Sequence, residues 1–116
     1  MNKKNENQQK NINTLLNLVH KNPELRIVPM VATECVADDC YAWWVTSWGK
    51  ATIEEIYLND IEEKVYIKNE DYDSLVDEEY DKFFDTDTDD DKAIKLAREK
   101  VDAYPWEKVI VVKIEP

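Results

Sequence analysis

A single glycine in 116 residues excludes the glycine-rich loops that cradle phosphates, since neither a P-loop nor a dinucleotide fingerprint can be built from one. Two cysteines, Cys35 and Cys40, are too few for a disulfide scaffold and fit a reducing compartment. The one histidine, His20, ends a helical pattern with no Ser, Cys or carboxylate nearby in sequence to complete a nucleophile–base pair, so it reads as a capping or surface residue. No apolar run approaches the ~18 residues of a membrane span, and MNKKNENQQK lacks the hydrophobic region of a signal peptide. These absences predict a cytoplasmic protein that is not an enzyme and carries no cofactor. Bases are also scarce: 15 Lys and Arg face 26 Asp and Glu, a net charge of −11. That excess opposes direct binding to nucleic acid or to an anionic membrane, whose phosphates need a basic surface.

What is present is aromatic and acidic. Three of the four tryptophans and the only glycine fall in Tyr41–Leu58, YAWWVTSWGKATIEEIYL. Aromatic and β-branched residues suit a half-buried strand, and Gly49 can supply the positive φ of a short turn, which predicts a central β-hairpin. Either Trp43 or Trp44 is then expected to be a core anchor. Residues 1–11 are almost wholly polar and read as a disordered tail, leaving one domain over 12–116. Ile12, Leu15, Leu16 and Val19 recur at helical spacing, so a first helix is expected over Asn11–Lys21. Arg26–Val36 reads as a strand whose Pro29 demands an edge or a bulge. A second hairpin pairs Ala51–Leu58 with Lys64–Lys68 through Asn59 and Asp60. Tyr72, Leu75, Val76, Tyr80, Phe83 and Phe84 mark an amphipathic helix over Glu70–Asp85. Another follows over about Asp89–Ala103, and Trp106–Ile114, with its unbroken Val109–Val112 run, reads as an interior strand. The resulting order is α-β-β-β-β-α-α-β. It predicts an α+β fold with an antiparallel or mixed sheet of about five strands and three helices.

Three motifs invite chemistry. Asp85-Thr86-Asp87-Thr88-Asp89 opens like a calcium loop, but the sixth position is Asp90 rather than Gly and the twelfth is Leu96 rather than Glu. A linker and helix cap is the better reading. Cys35 and Cys40 could face each other across a turn, but zinc would need two more ligands and none stands out. The acidic helix resists a purely structural account. Asp73, Asp77, Asp81 and Asp85 lie four apart and form one stripe. Each such like-charge pair costs about 0.2–0.5 kcal/mol, and Lys82 is the only base at hand to relieve them. The stripe reads either as acidity that only keeps the chain in solution or as a charged docking face, and it is the candidate protein-binding surface. Its expected partner is another protein, with a basic nucleic-acid-binding protein as one candidate, and the oligomeric state is left open.

At NPELRIVPMV (Asn22–Val31), WWVTSWGKATIEEIYL (Trp43–Leu58) and WEKVIVVKI (Trp106–Ile114), the chain resembles a family of small acidic proteins encoded by prophages and mobile elements of low-GC Gram-positive bacteria. The resemblance covers nearly the whole chain after residue 12. It implies an accessory gene product and transfers no catalytic residues. The expected function is binding of another protein. The alternatives are an acidic nucleic-acid mimic that inhibits a host defence protein, in the manner of anti-restriction or anti-CRISPR inhibitors, and a small enzyme of unknown class.

Overall fold

The computed structural model describes residues 3–35, 42–83 and 86–116. Its elements run α1 (Lys3–Lys21), β1 (Ile27–Val31), a 3-10 turn (Thr33–Cys35), β2 (Ser47–Asn59), β3 (Lys64–Ile67), α2 (Lys68–Asp81), α3 (Asp90–Asp102) and β4 (Glu107–Glu115). The class is α+β, and the described residues form three helices and a mixed sheet in the order β1-β4-β2-β3. Among the described residues, four strands stand where about five were expected. The chain divides into two compact units, residues 1–54 with 108–116, and residues 55–107.

In the first unit, α1 begins at Lys3, eight residues before the expected start, so most of the segment read as a disordered tail is helical. Poor apolar content removes a reason to dock, but it does not forbid a helix that propagates outward from the nucleated turns around Leu15 and Leu18. Leu15, Leu18 and Val19 pack with Leu25, Ile53 and Ile114 around a buried centre of Ala51, Ile110 and Val112. β1 pairs in parallel with β4, Ile27 opposite Ile110 and Val31 opposite Ile114, and it forms the outer edge, as Pro29 requires. The flanking hydrogen bonds run from Ile110 N to Arg26 O and from Ala32 N to Ile114 O, both using even-numbered residues of the β1 segment. The two-residue period then turns the Pro29 nitrogen, which has no hydrogen to give, toward the open side. β4 lies inside the sheet, and Val109 to Val112 are at most 1% exposed.

Among the described residues, the expected central hairpin is absent. Gly49 has no positive φ and lies within β2, an unbroken strand from Ser47 to Asn59. A Cβ on Gly49 would overlap the Lys113 carbonyl oxygen and stand 3.2 Å from its carbon. Glycine is there because two backbones approach closely, the other use of glycine in strands. Of the pair expected to hold one core anchor, Trp43 is 91% exposed and Trp44 is half-buried, both outside regular strands. Trp43→Ala should change the urea midpoint by no more than about 0.5 kcal/mol in stability. A larger loss would place Trp43 in the core.

The second unit carries the other hairpin as expected, with Ile56 opposite Ile67 and Asn59 opposite Lys64. Asn59 Oδ1 accepts from the Ile61 and Glu62 amides at 3.1 and 3.2 Å, and Glu63 takes φ 54° to close the loop. α2 starts at Lys68 and ends at Asp81, so it is displaced toward the N-terminus relative to the expected Glu70–Asp85. Asp71 reaches back to the Ile67 amide at 2.7 Å, much as the acid of a capping box does. α3 is capped by Asp89, whose side chain accepts from Lys92 N at 2.8 Å. The core of this unit is Leu75, Val76, Ala97 and Val101, flanked by Tyr66, Tyr72, Tyr80, Tyr104 and Trp106.

Candidate functional site

Charge separates the units more sharply than the sequence alone suggests. Residues 55–107 carry 19 acids and 7 bases, a net −12, while the remainder carries 7 acids and 8 bases, a net +1. Within the acidic unit, the structure sorts carboxylates into those that hold the fold and those that do not. Tyr72 donates to Asp102 Oδ1 at 2.9 Å and Tyr80 to Asp90 Oδ1 at 2.8 Å, so the α2–α3 pair is clasped near both ends. Tyr66 donates to Glu62 Oε2 at 3.0 Å. In each case the hydrogen bond to the carboxylate is the main cause that raises the tyrosine pKa.

Glu79 is the carboxylate that sequence reasoning missed. It is 5% exposed. Oε1 accepts from the Tyr104 hydroxyl at 2.5 Å and from Lys82 Nζ at 2.9 Å, while Lys100 Nζ stands 3.7 Å from Oε2, which has no hydrogen-bond donor. Burial pushes its pKa up, but the hydrogen bonds from Tyr104 and Lys82 and the charges of Lys82 and Lys100 outweigh burial and hold the carboxyl below the usual glutamate range. Tyr104 is driven far above the usual tyrosine value, by burial first and then by Glu79. A signal for Glu79 existed: it follows Leu75 by four and Val76 by three, which places an acid on the apolar stripe. Beside it, Tyr57 packs on Tyr104 at 4.9 Å and on Trp106 at 6.0 Å, and Trp106 Nε1 donates to Val101 O at 2.8 Å.

No family model, curated protein or solved structure matches this chain.

The expected stripe is visible over three of its four members. Asp73, Asp77 and Asp81 are exposed along α2, and Asp85 lies outside the described residues. Among the described residues none of the three has a cation within ion-pair distance. Lys82, expected to relieve them, instead turns to Glu79. Lys68 is held by Glu55 at 3.6 Å and lies over the Trp106 ring at 5.7 Å. Lys68 and Lys82 thus have partners other than the stripe. Cys35 is buried, with Sγ 3.6 Å from the Ile114 carbonyl oxygen, and its expected neighbour Cys40 lies outside the described residues. Among the described residues no three His, Cys, Asp or Glu side chains gather as metal ligands, and no helix is long and apolar enough to cross a membrane.

Proposed function

We propose that this chain is a non-enzymatic accessory protein of a phage or mobile element that acts by docking the exposed face of α2 against a basic surface of another protein. One observation carries the reading: among the described residues Asp73, Asp77 and Asp81 stand in a row without cationic partners, while Lys82 and Lys100 are drawn to Glu79. An arrangement that weakens its own helix is understandable where a partner supplies the missing charge. The resemblance of three segments to small prophage proteins supports the accessory role.

The spacing favours a narrower version of the same reading. Four helical residues rise about 6 Å, against one phosphate per ~3.4 Å along a DNA strand, so the carboxylates match about every second phosphate. A basic nucleic-acid-binding protein already presents cations at that pitch. The chain would then occupy the nucleic-acid site of such a protein as a mimic.

The test is the double substitution Asp77→Asn with Asp81→Asn. It removes two like-charge pairs and should stabilise the free chain by about 0.4–1 kcal/mol. The same variant should bind a basic partner, recovered by affinity capture, more weakly and with a shallower salt dependence. Stability and affinity then move in opposite directions. A partner whose affinity ignores both substitutions, and ignores raising salt from about 0.1 to about 1 M, where the Debye length falls from about 10 to about 3 Å, would overturn the electrostatic reading.

A further inference from the structure

The β2–β3 hairpin carries its apolar face past the point where the core ends. Ile56 stands opposite Ile67 and Leu58 opposite Val65, and the two-residue period puts all four on one side of the ladder. The inner pair is buried, at 4% and 7% exposed, whereas Leu58 and Val65 are 58% and 43% exposed. Ile61, in the loop beyond them, is 95% exposed. A cross-strand contact stabilises the hairpin and accounts for part of the outer pair, but no such contact accounts for Ile61. The loop is already set by the Asn59 side chain, which accepts from the Ile61 and Glu62 amides, and by the positive φ of Glu63. Three large apolar side chains left in water at one end of a hairpin mark an interaction surface.

The charges around that end name its occupant. Asp60, Glu62 and Glu63 are exposed in the loop, and among the described residues none has a cation within ion-pair distance. Glu62 takes its hydrogen bond from the neutral Tyr66 hydroxyl at 3.0 Å, which leaves its charge uncompensated. Lys64, the base that follows them, alternates with Val65 along β3 and so falls on the opposite face, with Tyr66. We propose that the hairpin end takes a basic amphipathic segment of a partner protein, whose apolar side chains cover Leu58, Ile61 and Val65 while its lysines or arginines meet Asp60, Glu62 and Glu63. Charge excludes the other ways of covering it. A second copy would bring these carboxylates against their own equivalents, and an anionic membrane or a nucleic acid would set phosphates against them. The surface is not the acidic face of α2, so each reading can fail without the other.

The experiment pans phage-displayed random peptides against the intact chain, with counter-selection on its Ile61→Ser variant, and measures the surviving sequences as synthetic peptides by fluorescence anisotropy. The expected result is enrichment of sequences that combine apolar residues with Lys or Arg, bound about tenfold or more weakly by Ile61→Ser. Because Ile61 is 95% exposed, that substitution leaves the fold intact, which circular dichroism checks. Leu58→Thr, which keeps a β-branched residue on the strand, should weaken the same peptides. The triple substitution Asp60→Asn, Glu62→Gln, Glu63→Gln keeps a hydrogen-bond acceptor at each position and should weaken binding and flatten its salt dependence. The double Asp77→Asn, Asp81→Asn variant should bind as the wild type does. The proposal is overturned if no sequence survives counter-selection, if the survivors lack bases, if they tolerate Leu58→Thr or the triple substitution, if they respond to the α2 variant instead, or if sedimentation shows a dimer that Ile61→Ser dissolves.

Discussion

Gly49→Val should unfold at a markedly lower urea concentration than the wild type, although strand propensity alone predicts the reverse. In a strand, glycine packs nothing and valine is among the preferred residues, so the propensity difference favours valine within a span of ~1 kcal/mol. Against this stands a backbone contact: the first side-chain carbon would overlap the Lys113 carbonyl. Overpacking against movable side chains costs about 1–3 kcal/mol, and here the obstacle is the main chain of a neighbouring strand, which can yield only by distorting the sheet. We expect a loss of about 3 kcal/mol for Gly49→Val and a smaller loss for Gly49→Ala. Ser47→Val, at an exposed position on the same strand, is the control and should be neutral or slightly stabilising. A stable Gly49→Val protein would mean that the two strands are not so closely apposed.

The Glu79 network should give the other large effect, with a pH signature of its own. Removing one partner of a buried ion pair can cost 3–5 kcal/mol where a charge is left stranded. The Lys82 and Lys100 side chains are 62% and 58% exposed and can return to water, so Glu79→Leu strands only the Tyr104 hydroxyl. A cost of about 2–3 kcal/mol is expected. Tyr104→Phe should cost about 1.5–3 kcal/mol, because it removes a hydrogen bond to a charged group. Combined, the two should cost less than their sum, since replacing both partners by apolar groups leaves nothing unsatisfied.

Glu79 is held below the usual glutamate range in the folded chain, so the unfolded state binds more protons as the solution is acidified. The stabilisation is present above that range and is lost as pH falls through the folded value. Tyr104 is raised in the folded chain, so its contribution is intact below about pH 10 and is lost as pH rises beyond it. The stability difference between wild type and Glu79→Leu, read from urea midpoints, should therefore shrink between about pH 7 and about pH 3. A difference independent of pH would show that the charge of Glu79 contributes nothing.

Local patterns carried over to the structure wherever the residues themselves decide their conformation. Asp89 starts α3 because its side chain can cap a helix, and Asn59 turns the β2–β3 hairpin because its side chain can bond two following amides. Pro29 puts β1 at the edge, and Val109–Val112 put β4 inside, because a missing donor and an unbroken apolar run each exclude the other position. What misled was a residue with two uses. Glycine serves a turn or a close backbone approach, and only the proximity of Lys113 decides for the second. The aromatic stretch likewise reads as core, yet its Trp43 and Val45 are exposed, and it is Tyr57 near its end that packs, with Tyr104 and Trp106.

The acidic stripe shows where the division falls. Four-residue spacing alone puts Asp73, Asp77 and Asp81 on one side of a helix, because the helical period is a property of the backbone. Their lack of compensation is not in the spacing. It follows from Lys82 and Lys100 turning to Glu79, a carboxylate that the α2–α3 packing buries, and a buried charge attracts cations more strongly than an exposed one because water screens it less. The sequence by itself determined which groups are charged and which face of each helix they occupy. Only the tertiary structure decided which charges are already spent on one another, because the burial that makes Glu79 attract Lys82 and Lys100 comes from packing α2 on α3.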